Sequence, residues 1–111
     1  MPWFVTIGYG DEDGYQSTEE SVRLTAHQRD AELMERGAVI GAAGAPVQVR
    51  NHDGAKVETA DGPFLSSSLP LAGFGLIEAA DMEEAVSLIA GTPCSVAQGV
   101  VEVWPLLQGP A

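Results

Sequence analysis

Proton transfer near neutral pH calls for an imidazole, and this chain has two, His27 and His52. His27 stands in "RLTAHQRDAELM". At a 3.6-residue period Leu24, His27, Ala31 and Met34 fall at i, i+3, i+7 and i+10, a single stripe. Read as the packed stripe, it turns His27 inward as an acid or base. Arg23, four residues earlier, projects from about the same side and would hold an anionic or carbonyl oxygen. The competing reading is a half-buried histidine bonded to a backbone carbonyl. Asp61 is the second candidate, in Asp61-Gly62-Pro63-Phe64. Aspartate before glycine favours a turn, Gly62 opens backbone angles closed to other residues, and Pro63 restricts it. Those four residues suit a tight turn held by Phe64 in apolar surroundings, or part of a site.

The other reactive groups point elsewhere. His52 lies in the turn signal "NHDG" and reads as solvated. Cys94 is the sole cysteine, so it forms no internal disulfide and no cysteine-based metal cluster. With no basic neighbour in sequence it reads as a small apolar filler. The histidines lack ligand spacing, and Gly8-Tyr9-Gly10 is not followed by the helix start of a dinucleotide loop. Neither a metal nor a cofactor is expected. The glutamates of the helical segments read as solvated faces, and Ser66-Ser67-Ser68 as a connector.

Elements must position these groups. Trp3 to Tyr9 is aromatic and β-branched and reads as a strand, followed by the polar loop "GDEDGYQ". Ser17 with Glu20 has capping-box spacing, which predicts a helix over residues 17–36 with Gly37 at its stop. "AVIGAAG" is a short strand. Residues 46–60 alternate Val47, Val49 and Val57 with polar neighbours around "NHDG" and read as a partly exposed hairpin. Leu71 to Ala79 is a buried strand with two glycines. Asp81 caps a second helix with Met82, Ala85, Val86 and Ile89 on one face, ended by Gly91-Thr92-Pro93. The last strand lies within residues 96–106. The order β-α-β, hairpin, β-α-β is the split βαβ pattern of a ferredoxin-like α+β sheet. Two helices cover one sheet face, yet "WFVTI", "FGLI" and "VVEVW" carry apolar residues on both. A second copy packed sheet to sheet is the expected cover.

The whole is sized for one domain over residues 1–107 with a tail over residues 108–111. Sixteen acidic residues against five Lys and Arg give a net charge of −11, which repels nucleic-acid phosphates and anionic lipid. No segment approaches the ~18 apolar residues of a membrane span. The N-terminal "MPWFVTIGYG" lacks the pattern of a signal peptide. A cytoplasmic location is therefore expected, with partners limited to a second copy and a small-molecule ligand, not nucleic acid or membrane.

"ETADGPF", the following "GFGLIEA", the acidic-start helix "DMEEAVSLIA" and the ending "GVVEVWPL" together resemble the YCII-related proteins, in the branch marked by a DGPF tetrapeptide. "RLTAHQRDAELMERGAVIGAAG" resembles the first helix and second strand of the same family. The resemblance covers nearly the whole chain. It implies a ferredoxin-like subunit of a dimeric α+β barrel, with a cavity between sheet and helices. It also implies a helical histidine, matched here by His27, working with an aspartate; some relatives act on chlorinated or lactone-type small molecules. Where one branch has that aspartate, in an A-D-P segment, this chain reads Gly91-Thr92-Pro93. Asp61 is the remaining candidate, giving an expected dyad His27–Asp61, with Phe64, Phe74 and Trp104 lining the cavity. The stretch Leu65-Ser66-Ser67-Ser68 lacks the branch's charge, and Phe74-Gly75 replaces a tyrosine pair, which leaves a roomier and less polar cavity. Two functions follow: a lyase- or isomerase-type enzyme, or a non-catalytic accessory protein. The accessory reading draws on the association of DGPF relatives with sigma factors of the extracytoplasmic-function class.

Overall fold

A computed structural model describes residues 1–108; of the expected tail, residues 109–111 lie outside the described part. Strand β1 (Trp3–Tyr9) leads into helices α1 (Glu12–Ser17) and α2 (Glu20–Glu35) and strand β2 (Val39–Ala42). The hairpin β3 (Val47–Arg50) and β4 (Glu58–Asp61) follows, then β5 (Leu71–Glu78), α3 (Met82–Ile89), α4 (Pro93–Val96) and β6 (Val100–Leu106). The main sheet has the order β2-β5-β1-β6 with every pair antiparallel, which is the ferredoxin-like arrangement with the hairpin inserted between its second and third strands. Fold class and hairpin are as the sequence predicts.

Alternation sorts the sheet into two faces. Phe4 pairs with Ile77, Thr6 with Gly75 and Gly8 with Gly73, and all three β1 residues are buried under the helices. Phe4 and Ile77 meet Leu33 of α2 and Ala85 and Ile89 of α3 in the core. The opposite face holds Val5, Ile7, Leu76, Phe74 and Trp104 in register, and no described element covers it. On that face the Tyr9 hydroxyl donates to Glu102 Oε1 at 2.8 Å. That hydrogen bond, then burial, then the nearby carboxylate charge push the Tyr9 phenol up.

The hairpin leaves this body. β3 and β4 pair only with each other, and Val47, Val49 and Val57 are exposed. The radius of gyration is 15.9 Å, against about 13 Å for a compact chain of this length. Within the turn, Asp53 and Gly54 both have positive φ.

Four expectations need correction. "GDEDGYQ" is not a loop: Asp11 accepts from the Gly14 N–H at 2.8 Å and caps α1. Ser17 therefore ends α1, its hydroxyl donating to Gly14 O, and no capping box starts α2; Glu19 precedes it without a side-chain cap. The stripe Leu24–His27–Ala31–Met34 is not the packed face. Leu24 and Met34 are exposed, and the buried residues are Ala26 and Leu33. Apolar residues are spread around α2, so period alone does not single out its inner side. On α3, Ala85 and Ile89 turn inward while Met82 and Val86 do not. The Gly37 stop (φ 100) and the Asp81 cap, which accepts from Glu84 N at 2.8 Å, are as predicted.

Candidate functional site

The helix-side face of the sheet is filled at one end and empty at the other. Phe4 and Ile77 fill the first end; at the second, Gly8 lies opposite Gly73 and neither has a side chain. A cavity of about 400 Å³ occupies that space. Gly73 has no room for a side chain, since a Cβ there would sit 2.5 Å from Gly41 O; at Gly8 a Cβ would sit 3.1 Å from Cys94 Sγ, which would have to give by a few tenths of an ångström. Gly75 marks the boundary, because a Cβ there would meet Thr6 Oγ1 at 2.4 Å.

α2 brings two ionisable groups to this space, His27 and Asp30. Their i, i+3 spacing places them on adjacent turns of one face. Asp30 belongs to the packed stripe Ala26–Asp30–Leu33 and is half-buried, whereas His27 is exposed at the cavity's edge. Burial pushes the Asp30 carboxyl above its ordinary range, and the imidazole opposes that rise. Cys94 lines the same space from α4; burial, and then Asp30, push its thiol up, so it is not a poised thiolate. Thr92 also lines it, but its hydroxyl is engaged, donating to Ile89 O at 2.6 Å.

A second layer holds the imidazole. Tyr15 Oη lies 2.8 Å from His27 Nε2, and the Arg23 guanidinium stacks over the Tyr15 ring at 4.8 Å. Arg23 Nε is buried without a hydrogen-bond partner. α1 exists in this position because Gly14 packs against the backbone: a Cβ there would be 2.7 Å from Ala97 O. The chain of contacts is thus Arg23 to Tyr15 to His27.

The candidates from sequence are therefore split. His27 and Phe74 line the cavity, although Phe74 pairs with Ile7 on the open-face register. Arg23 does not line it. Trp104 pairs with Val5 on the open face. Asp61 ends β4, exposed, opposite Val47; the Gly62 N–H donates to Pro46 O, and Gln48 Nε2 donates to Gly62 O. Gly62 has φ 94, as a turn glycine should. Phe64 is 81% exposed, so the tetrapeptide is not seated in apolar surroundings; Arg50 lies over its ring at 5.8 Å. The carboxylate in the histidine's cavity is Asp30, and the tyrosine on the histidine is Tyr15; the sequence reading identified neither.

A ferredoxin-like α+β domain with a cavity between sheet and helices is the class these features define. The chain belongs to the YCII-related family, whose domain profile matches residues 2–108. No curated protein matches it. Among the described residues no three His, Cys, Asp or Glu side chains are grouped to hold a metal, and no helix is long and apolar enough to cross a membrane.

Proposed function

We propose that this protein binds a small molecule in the cavity beside α2 and moves a proton on it with His27, as a lyase or isomerase does. The observation that carries this is the meeting of His27 and Asp30 at one cavity, with Tyr15 bonded to the imidazole. When Nε2–H donates to Tyr15 Oη, Nδ1 holds the lone pair and is the basic nitrogen. It would take a proton from a carbon next to a ligand carbonyl, the electron pair moving onto that carbonyl. The imidazolium so formed is favoured by the Asp30 carboxylate. Return of the proton at another carbon gives an isomerisation; loss of a leaving group gives an elimination. Asp30 thus replaces Asp61 in the expected dyad.

The test is a thermal-shift screen of carbonyl compounds, followed by NMR in D₂O on the compounds that bind. Wild type should exchange ligand C–H for deuterium and His27→Ala should not, while still binding. If wild type binds but exchanges nothing, the accessory reading holds instead; the place of Asp61 outside the cavity favours that second reading.

The working unit in this reading is a homodimer. Three strands about 24 Å long and the shorter β2, about 4.8 Å apart, present roughly 400 Å² of open sheet. A stable interface buries about 800 Å² per partner. The exposed Val47, Val49 and Phe64 of the hairpin arm would supply the remainder. Sedimentation velocity should give a dimer for wild type and a monomer for Trp104→Glu; a monomeric wild type at tens of micromolar refutes it.

A further inference from the structure

We infer that the cavity is built for an uncharged ligand, a largely apolar molecule with one carbonyl or hydroxyl group, and that it turns away carboxylates and phosphates. The inference rests on the cavity being the ligand site and adds the class of molecule admitted there. Its walls are glycine, alanine, Ile40, Ile89, Met34 and Val101, and its side-chain polar groups are Thr6, His27, Asp30, Thr92 and Cys94. Among the described residues no Lys or Arg lines it. All five cations are placed elsewhere. Arg23 is stacked on Tyr15, and Arg29 pairs with Glu32 and reaches Leu88 O at 3.5 Å. Arg36 lies at the far end of α2 near Met1 and Glu78, while Arg50 and Lys56 belong to the hairpin.

An anion would therefore shed its water against apolar walls and meet the Asp30 carboxylate, a like charge, with His27 already facing that carboxylate as its sole nitrogen donor side chain among the described lining residues, in a chain of net charge −11. The helix α4 at the cavity's edge offers little relief, because it is a single turn of four residues with a correspondingly small dipole. Cations fare better than anions but would exchange full hydration for one carboxylate already facing His27. An uncharged molecule loses least. Its carbonyl oxygen can take a proton or a hydrogen bond from His27, and its apolar body lies among the apolar lining residues.

Cys94 makes this measurable, since it is the sole cysteine and lines the cavity. Three methanethiosulfonates share one reaction, in which the thiolate attacks the sulfenyl sulfur and methanesulfinate departs. The propyl reagent is neutral, the sulfonatoethyl reagent anionic and the trimethylammonioethyl reagent cationic. Each rate on the folded chain is divided by its rate on the same chain unfolded in urea, so thiol acidity cancels between reagents. The expected result is a folded-to-unfolded ratio for the propyl reagent at least fivefold above both charged reagents, persisting in 0.5 M salt, which screens only exposed charge. Asp30→Asn removes a charge that holds the thiol up, so it should raise all three ratios, and the anionic ratio by clearly more than the propyl ratio. A smaller difference overturns the inference, as does an anionic ratio equal to the neutral one. A cationic ratio above the neutral one overturns it in favour of an amine site. Failure of the propyl reagent to label the folded chain overturns it too. None of these readings needs turnover, so loss of the His27 proton-transfer role would leave them standing.

Discussion

Gly75→Ala tests the boundary between core and cavity. The added Cβ would lie 2.4 Å from Thr6 Oγ1, and Ile40 Cγ1 at 3.6 Å closes the other side. An ordinary carbon–oxygen contact is nearly 1 Å longer, so the strands part or Thr6 leaves its rotamer. Overpacking of this kind costs about 1–3 kcal/mol. Unfolding entropy near ~2.1 cal/mol/K per residue gives about 0.23 kcal/mol/K for a chain this long, or roughly 4 °C per kcal/mol. The expected fall in Tm is therefore about 4–12 °C. In a Thr6→Ala background the obstacle is gone, and alanine restricts the unfolded chain, a gain of about 0.4–1 kcal/mol. The double-mutant cycle, measured by urea unfolding, should give a coupling of about 1.5–4 kcal/mol. A coupling below about 0.5 kcal/mol would refute the reasoning, since Gly75 would then be needed for something other than room for Thr6.

Two further outcomes follow from the titrating groups. Burial holds the Asp30 carboxyl above its unfolded value, so between the two values the folded chain carries the extra proton. Stability then falls as pH rises through that acid window and levels off above it; Asp30→Asn should remove that slope in urea titrations from pH 3 to 7. Glu102 raises the Tyr9 phenol. In an ultraviolet titration of a Tyr15→Phe background, Glu102→Gln should lower the pH at which Tyr9 ionises, and an unmoved step would sink that assignment.

Much of the fold was legible in sequence because its signals are local. Gly37 and Asp81 mark helix ends through backbone chemistry confined to a few residues, and "NHDG" between alternating valines marks the hairpin in the same way. What escaped depends on contacts distant in sequence. α1 contains Gly14, which reads as a loop residue, yet glycine is there because Ala97 O approaches from the far end of the chain. Asp30 was not singled out, because its half-burial depends on tertiary packing that no local pattern shows. The face of α2 was misjudged because apolar residues surround it, although Ala26, Asp30 and Leu33 do share a stripe. Asp61 is the remaining candidate in sequence because Thr92 stands where one branch has its aspartate, and the hairpin carries Asp61 away from the cavity.

The two-faced sheet has a practical consequence for spectroscopy. Both tryptophans of the chain, Trp3 and Trp104, stand on the uncovered side, in register with Leu106 and Val5. The single thiol stands on the other side, against Gly8. Intrinsic fluorescence therefore reports whatever wets or covers the open sheet, and a dye on Cys94 reports the cavity. The two signals come from opposite surfaces of the same four strands, so native residues alone allow association and ligand entry to be followed in one sample.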